Sequence, residues 1–290
     1  MKKSRKLATL GICSALFLGL AACQQQHATS EGTNQRQSSS AKVLWKASYT
    51  NLNNQVSTEE VKSLLSAHLD PNSVDAFFNL VNDYNTIVGS TGLSGDFTSF
   101  THTEYDVEKI SHLWNQKKGD FVGTNCRINS YCLLKNSVTI PKLEKNDQLL
   151  FLDNDAIDKG KVFDSQDKEE FDILFSRVPT EATTDVKVHA EKMETFFSQF
   201  QFNEKARMLS VVLHDNLDGE YLFVGHVGVL VPADDGFLFV EKLTFEEPYQ
   251  AIKFASKEDC YKYLGTKYAD YTDEGLAKPF IMDNDKWVKL

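Results

Sequence analysis

Hydrophobic residues recur at helical spacing through the first part of the folded region. After the sequence STEE at 57–60, apolar residues return every three or four positions up to Leu69. A second such pattern follows Asp70-Pro71, and a third covers residues 106–116. STEE has the form of a capping box, so the first helix is predicted to be capped at Ser57. This part of the chain is predicted to be helical.

The segment GTNCRINSYCLL at 123–134 contains two cysteines, and its sequence also indicates the start of a helix. Asn125 is a favoured N-cap residue, so Cys126 is predicted to begin a helix. On one continuous helix, Cys126 and Cys132 would be about 9 Å apart along the axis. A disulfide needs closer residues, so these two cysteines are predicted not to pair.

The second half of the chain changes from a helical to a strand pattern. Further helices are predicted at 166–176, at 186–200 and after Ser256. Segments rich in Val, Leu and Phe, joined by short turns, are found at 208–214, 221–231 and 237–245. They predict a three-stranded antiparallel meander. Helices followed by antiparallel strands indicate an α+β fold.

The first 41 residues differ in composition from the rest. A positively charged start and an apolar run lead to Leu-Ala-Ala-Cys at 20–23, which resembles the lipobox of bacterial lipoproteins. Residues 1–22 are therefore predicted to be a lipoprotein signal peptide, with an ordinary secretory signal as the alternative. Cys23 is predicted to carry the lipid, 23–41 to form a disordered tether, and 42–290 to form one α+β domain with a helical N-terminal part.

Charge and motifs narrow the chemistry. The net charge of -10 disfavours nucleic acid as a partner, and the predicted contact with the membrane is the lipid at Cys23. The expected location is the extracellular face of the bacterial cytoplasmic membrane. The sequence contains no H-E-x-x-H, Cys-x-x-Cys, Gly-x-Ser-x-Gly or Gly-rich nucleotide motif, so neither a metal nor a cofactor is predicted. Catalysis by a cysteine is therefore the candidate chemistry that these motifs do not exclude.

His226 is the candidate base, and Glu241 is its candidate partner. If residues 233–236 form a four-residue turn, Gly228 lies opposite Glu241, and His226 and Glu241 become diagonal neighbours on one face. The same counting across the preceding turn puts His214 opposite Tyr221, pointing away from the face of His226. A buried carboxylate needs a partner, which the imidazole would supply.

Structural interpretations of these residues stay open. His226 could be a satisfied core histidine, and Glu241 could face solvent or pair with a lysine or arginine. A β-bulge at Gly225 or Gly228 would shift the register.

Five blocks of the chain resemble the domain of unknown function 4300, which occurs in lipoproteins of streptococci and other Firmicutes. The blocks are GTNCR at 123–127, GHVGVL at 225–230, FVEK at 239–242, PYQAIKF at 248–254 and KPFIM at 278–282. The resemblance implies a lipoprotein on a Gram-positive surface. More distantly, a cysteine on a helix followed by a histidine and a polar residue on strands is similar to papain-like peptidases of the NlpC type, although the residues flanking Cys126 differ.

These observations predict a surface-anchored, papain-like cysteine hydrolase that cleaves an amide bond, with peptidoglycan stem peptides as expected substrates. Cys126 would be the nucleophile, His226 the general base and Glu241 the residue that orients it. The alternative is a surface lipoprotein that binds a peptide, glycan or protein without cleaving it.

Four further residues are candidates for binding the substrate or the oxyanion. Asn125 and Arg127 flank Cys126, and a structural role for Arg127 is the alternative. Tyr249 and Gln250 follow Pro248, where they would line a cleft or form the turn after the third strand.

Overall fold

An antiparallel sheet of nine strands organises the protein. The computed structural model describes residues 47–100 and 103–290, which belong to one compact unit. The strands in chain order are β1 (Ala47–Thr50), β2 (Thr98–Ser99), β3 (Val138–Thr139), β4 (Val178–Pro179), β5 (Gln201–Phe202), β6 (Arg207–Asp215), β7 (Tyr221–Ala233), β8 (Gly236–Lys242), β9 (Tyr249–Phe254), β10 (Phe280–Asp283) and β11 (Lys286–Val288). The main sheet has the order β11-β10-β6-β7-β8-β9-β1-β2, with β4 paired to β7, and β3 and β5 form a separate pair.

The predicted meander forms the centre of this sheet as β6, β7 and β8. Pro232 lies opposite Phe237, as the four-residue turn predicts, and Val229 lies opposite Val240. The sheet is larger than predicted because short segments distant in the chain extend it on both sides. The next strand along the chain, β9, pairs with β8 and contains Tyr249 and Gln250, so these residues belong to a strand rather than to a turn.

The predicted register between β6 and β7 is wrong by one residue. His214 lies opposite Leu222 rather than Tyr221, and the ladder shifts between Val211 and Val212, whose partners are His226 and Val224. The shift leaves Gly225 as an extra residue, a β-bulge that reverses the alternation of side chains. The register error of one residue and the bulge each reverse the predicted side of the sheet. Their effects cancel, so His214 still points away from the face of His226.

Eight α-helices surround the sheet within the described ranges. They are α1 (Gln55–Ser66), α2 (Pro71–Val88), α3 (Val107–Lys118), α4 (Cys126–Leu134), α5 (Phe151–Gly160), α6 (Ser165–Leu174), α7 (Val186–Phe197) and α8 (Lys257–Lys267). Asn125 caps α4 as predicted, and Asp70 caps α2, each accepting a backbone N–H through its side chain. The first helix begins earlier than predicted, because Asn54 is its N-cap and accepts the N–H of Ser57.

Two hydrophobic cores lie on opposite faces of the sheet. Leu230 and Phe239 pack with Leu264 of α8 on one face. Val227 and Val229, which alternate with Leu230, pack in the larger core with residues of α2, α4 and α7. Helix α4 contacts β7 and β8 directly. The α+β prediction is confirmed.

The signal peptide, the tether and the lipid site at Cys23 lie outside the described residues, as do residues 42–46 of the predicted domain. Within the described part of the chain, none of the helices combines the length and the apolar character needed to cross a bilayer.

Candidate active site

Cys126 occupies the first position of α4, where the sequence predicted it. The Asn125 side chain accepts the N–H of Ile128 at 3.1 Å and so caps the helix. The first N–H groups of a helix lack partners within it and carry partial positive charge. The thiol is therefore at the end of a helix that favours a thiolate, and Cys126 is only 5% exposed.

His226 and Glu241 make the predicted contact. Nε2 of His226 lies 2.5 Å from Oε2 of Glu241, so the ring N–H donates to the carboxylate. Both residues are almost fully buried, at 2% and 1% exposure. Glu241 is on β8, which lies between β7 and β9, so it is not on an edge strand. This bond leaves Nδ1 as the ring nitrogen available to the thiol.

Cys126 and His226 perturb each other's ionisation. Burial raises the pKa of the Cys126 thiol, but the charge and hydrogen bond of His226, together with the charge of Arg127, outweigh burial and lower it below its usual value. Burial lowers the pKa of the His226 imidazole, whereas Cys126 and Glu241 raise it, and the net shift is upward. Both shifts favour a thiolate next to an imidazolium.

Helix α8 completes the surroundings of the histidine. The hydroxyl of Tyr263 donates to Oε1 of Glu241 at 2.5 Å, and Nζ of Lys267 lies 3.5 Å from the same oxygen. Burial raises the pKa of Glu241, but Lys267, His226 and Tyr263 lower it to about 2. The ring of Tyr268 stacks on that of His226, with centroids 4.8 Å apart. Glu241 is thereby kept ionised in a buried position.

A buried carboxylate fixes the start of α4. Asp153 of α5 accepts the Asn125 amide at 2.7 Å through Oδ1 and two guanidinium N–H groups of Arg127 at 2.9 and 2.7 Å. Arg127 also donates to the carbonyl oxygen of Val224 on β7 at 2.9 Å. Asn125 and Arg127 thus contact the protein itself in this structure. Their role in binding a substrate or an oxyanion stays a prediction.

Tyr249 and Gln250 are buried in hydrogen-bond networks. The hydroxyl of Tyr249 donates to Oδ1 of Asn129 on α4 at 3.0 Å. The amide of Gln250 donates to the hydroxyl of Tyr105 at 2.7 Å, and Gln250 pairs with Glu241 across the β8–β9 ladder. Tyr249 therefore supports α4 and Gln250 lies beside Glu241, while their contact with a substrate stays a prediction.

The cysteines differ in their ionisation. Cys126, Cys132 and Cys260 are all free, as predicted for the first two. Burial raises the pKa of Cys132 to about 12 and that of Cys260 well above its usual value. Cys126 alone among these three has a lowered pKa. In the described ranges, no group of three or more His, Cys, Asp and Glu side chains is arranged to hold a metal ion.

Lys242 is a buried residue of this region that the sequence did not single out. Its Nζ donates to the carbonyl oxygens of Thr244, at 2.8 Å, and Phe245, at 3.1 Å, and also to that of Glu247. The same ammonium lies 4.2 Å from the centre of the Tyr84 ring. Burial lowers the pKa of Lys242 to about 7, against the opposing charges of Glu246, Glu247 and Cys126.

Sequence reasoning missed the residues that support the site from outside the meander. Tyr263 and Lys267 are four residues apart on α8 and therefore share a face of the helix, which is a recognisable pattern. Nothing in that pattern indicates that the face meets Glu241. Asp153 has no local signal, because its partners belong to α4 and its own helix was not predicted.

The fold and the site define an α+β protein in which a helix-borne cysteine interacts with a strand-borne His-Glu pair. The family model described as Domain of unknown function (DUF4300) matches residues 48–288, so the chain belongs to this family. The family resemblance inferred from the five sequence blocks is thereby confirmed. No curated protein and no solved structure matches the chain significantly.

Proposed function

We propose that the protein is a cysteine hydrolase that cleaves an amide bond, with Cys126, His226 and Glu241 as its catalytic group. The observation that carries the proposal is the position of His226 between two partners. Its Nε2 donates to the ionised Glu241, and its charge and hydrogen bonding lower the pKa of Cys126. Thiol hydrolases need this pairing because the thiolate is the nucleophile.

The proposed reaction has two steps. The Cys126 thiolate attacks the carbonyl carbon, a C–S bond forms, and the π electrons move to the oxygen. The backbone N–H of Cys126 would bind the resulting oxyanion. The His226 imidazolium then donates its proton to the leaving nitrogen, the C–N bond breaks and an amine departs. Water then attacks the thioester carbon while His226 takes its proton, and the C–S bond breaks, which releases the carboxylic acid and restores the thiolate.

The arrangement is papain-like in its order: a cysteine at a helix start, a histidine on a strand and a carboxylate on the next strand. In this proposal Asn125 and Arg127 fix the helix start through Asp153, and Tyr249 supports α4 through Asn129. Gln250 is positioned beside the carboxylate that orients the imidazole.

The proposed setting follows from the sequence of the first 41 residues. A lipid on Cys23 would hold the domain at the extracellular face of the cytoplasmic membrane of a Gram-positive bacterium, with residues 23–41 as the tether. Peptide stems of peptidoglycan are the amides that an enzyme in this position meets, and we propose them as substrates.

Thiol reactivity tests the nucleophile. The full-length protein is treated with iodoacetamide at pH 7, and the rate at each cysteine is followed by peptide mass spectrometry. We expect Cys126 to react at least about tenfold faster than Cys132, which is on the same helix, because only Cys126 has a lowered pKa. In His226→Ala the rate at Cys126 should fall and its pH midpoint should rise, because the imidazolium that stabilises the thiolate is gone.

The matched variants are Cys126→Ala and Cys132→Ala. Release of new amino groups from isolated stem peptides should stop in the first and persist in the second. Equally slow alkylation of Cys126, Cys132 and Cys260 would refute the proposed nucleophile.

The second candidate is binding without cleavage, and the burial of Cys126 and His226 favours it. A buried thiol can stabilise the fold through its partner without meeting a substrate. Under this function, stem peptides would bind equally to the wild type and to Cys126→Ala, and neither protein would release an amine. Binding and amine release measured on the same two proteins therefore separate the candidates.

A further inference from the structure

A surface recess lies beside the segment that leads to Cys126. It has a volume of about 150 Å³ and is lined by Tyr84 of α2, Ile110 and Trp114 of α3, Val122, and Phe245 and Glu246 of the β8–β9 turn, among others. A smaller hollow shares Tyr84 and Trp114 and is also lined by Gly123 and Thr124. Together, the recess and the smaller hollow therefore extend along the protein to Thr124, two residues before Cys126.

Gly123 brings this segment close to the recess wall. It has φ +92°, a conformation that side chains disfavour. A Cβ at this position would lie 3.3 Å from the Trp114 ring and 3.5 Å from the carbonyl oxygen of Phe245. The backbone three residues before Cys126 therefore passes close to Trp114 and Phe245 and leaves little room for a side chain.

The walls are fixed before any ligand binds. Nε1 of Trp114 donates to the carbonyl oxygen of Phe121 at 2.6 Å, and the Tyr84 hydroxyl donates to that of Glu246 at 2.5 Å. Lys242 holds three other carbonyl groups of the same turn. A recess held in this way loses little conformational freedom when it is filled.

The charge at the mouth is negative. Glu246 is exposed and Glu247 half-exposed, and within the described residues no ion pair involves either of them. Asp83, at the smaller hollow, is paired with Lys118 at 2.7 Å and so contributes no net charge. Lys242 donates to backbone carbonyls rather than to these carboxylates. The recess is therefore lined by the carboxylate of Glu246, which has no ion-pair partner among the described residues, and a second carboxylate, Glu247, follows it in the chain.

We propose that this recess binds an aminoalkyl side chain of the substrate, such as that of a lysine or another diamino acid residue, with its amine at Glu246. The aromatic walls suit the alkyl chain, and the carboxylate suits the ammonium. The volume equals that of about five water molecules, which fits one side chain of this length. The inference rests on the proposed hydrolase function only in naming the ligand as part of the substrate.

The test measures binding in a protein that cannot cleave. Full-length Cys126→Ala is titrated with N-acetyl-lysine amide and with N-acetyl-norleucine amide, which has a similar apolar chain but no amine. Tryptophan fluorescence reports the binding, and Trp114→Phe identifies the change that arises in the recess. We expect the lysine compound to bind about tenfold more tightly than the norleucine compound.

The variant Glu246→Gln should remove this difference, whereas Glu108→Gln, at an exposed carboxylate in the first turn of α3, should preserve it. Equal binding of the two compounds, or no binding of either up to about 10 mM, would overturn the proposal. Because the nucleophile is absent throughout, failure of the hydrolase proposal would be seen in the alkylation and cleavage experiments and not in this one.

Discussion

At the residue scale, the ionisation of Glu241 determines the protonation states of His226 and Cys126. A carboxylate buried without partners would be protonated, because burial disfavours its charge. Lys267, His226 and Tyr263 instead lower the pKa of Glu241 to about 2. An ionised Glu241 favours a protonated His226, and a protonated His226 favours the Cys126 thiolate. The three residues therefore ionise as one coupled group.

We expect Glu241→Gln to reduce the iodoacetamide reactivity of Cys126 by about 10-fold to 100-fold at pH 7. Glutamine keeps the side-chain shape but removes the negative charge that stabilises the imidazolium. The pKa of His226 should fall and that of Cys126 should rise, so less thiolate is present at neutral pH. The pH dependence of alkylation measures this shift directly.

The control is Glu220→Gln, because Glu220 makes the same kind of contact with another histidine. Nε2 of His214 lies 2.7 Å from Oε2 of Glu220, on the opposite face of the sheet from His226. This change should leave the reactivity of Cys126 unaltered. An equal effect of both variants would indicate a general loss of stability and count against a specific role of Glu241.

At the element scale, Asp153 joins α4, α5 and β7 by way of Arg127. The carboxylate is fully buried, and it binds the guanidinium in a bidentate contact. Removing one partner of such a pair leaves an uncompensated buried charge. We expect Asp153→Asn to destabilise the fold by about 3 kcal/mol, as measured by urea unfolding.

Asp158→Asn is the matched control on the same helix. Its carboxylate is exposed, so its ion pair with the half-buried Lys168, at 2.6 Å, should contribute less than about 1 kcal/mol. If Asp153→Asn were no more destabilising than Asp158→Asn, the fixed start of α4 would not depend on this carboxylate.

The sequence predicts those elements whose signals are local. Asn125 is a cap next to its own helix, and the turn at 233–236 fixes the register of β7 and β8, so both were predicted correctly. The register of β6 against β7 was predicted one residue out, because the connection between them, residues 216–220, is one residue longer than the count assumed. The bulge at Gly225 stayed an open alternative, because a bulge depends on packing across strands. Gly225 permits the bulge, but a glycine within a strand also occurs where a neighbouring backbone approaches closely or the strand bends.

Contacts between elements that are distant in the chain could not be predicted from local sequence patterns. Strand β1 pairs with β9, about two hundred residues later in the chain, and no local pattern specifies this partner. The same limit hides the contact of α8 with Glu241. Cys126, His226 and Glu241 could be chosen because their residue types and faces restrict the alternatives, whereas Tyr263 and Lys267 required the folded structure.

At the scale of the whole molecule, the site depends on the complete fold. Cys126 comes from the helical first half, His226 and Glu241 from the central strands, and the supporting tyrosines from the last helix and the residue that follows it. The family match at 48–288 spans all of these elements. A fragment that lacked either end of this region would lose part of the sheet. Groups buried at the centre of the sheet are therefore best tested by measuring the stability of the whole domain.

Lys242 is the buried group whose contribution to stability should depend most clearly on pH. Its pKa is about 7 in the folded protein and near 10.5 when exposed. Between these values the unfolded chain binds a proton that the folded chain does not, so stability rises with pH. The contribution is fully present above the unfolded value and is lost as the pH falls towards 7.

We therefore expect the free energy of unfolding of the wild type, relative to Lys242→Met, to increase by about 2 kcal/mol between pH 7 and pH 9. Urea unfolding at both pH values measures it, and taking the difference removes the groups that the two proteins share. Lys253→Met, on the neighbouring strand β9, controls for the loss of a positive charge. A difference that does not change with pH would contradict the lowered pKa. It would mean instead that the three carbonyl groups keep the ammonium protonated throughout, because a neutral amine has only two N–H groups to donate.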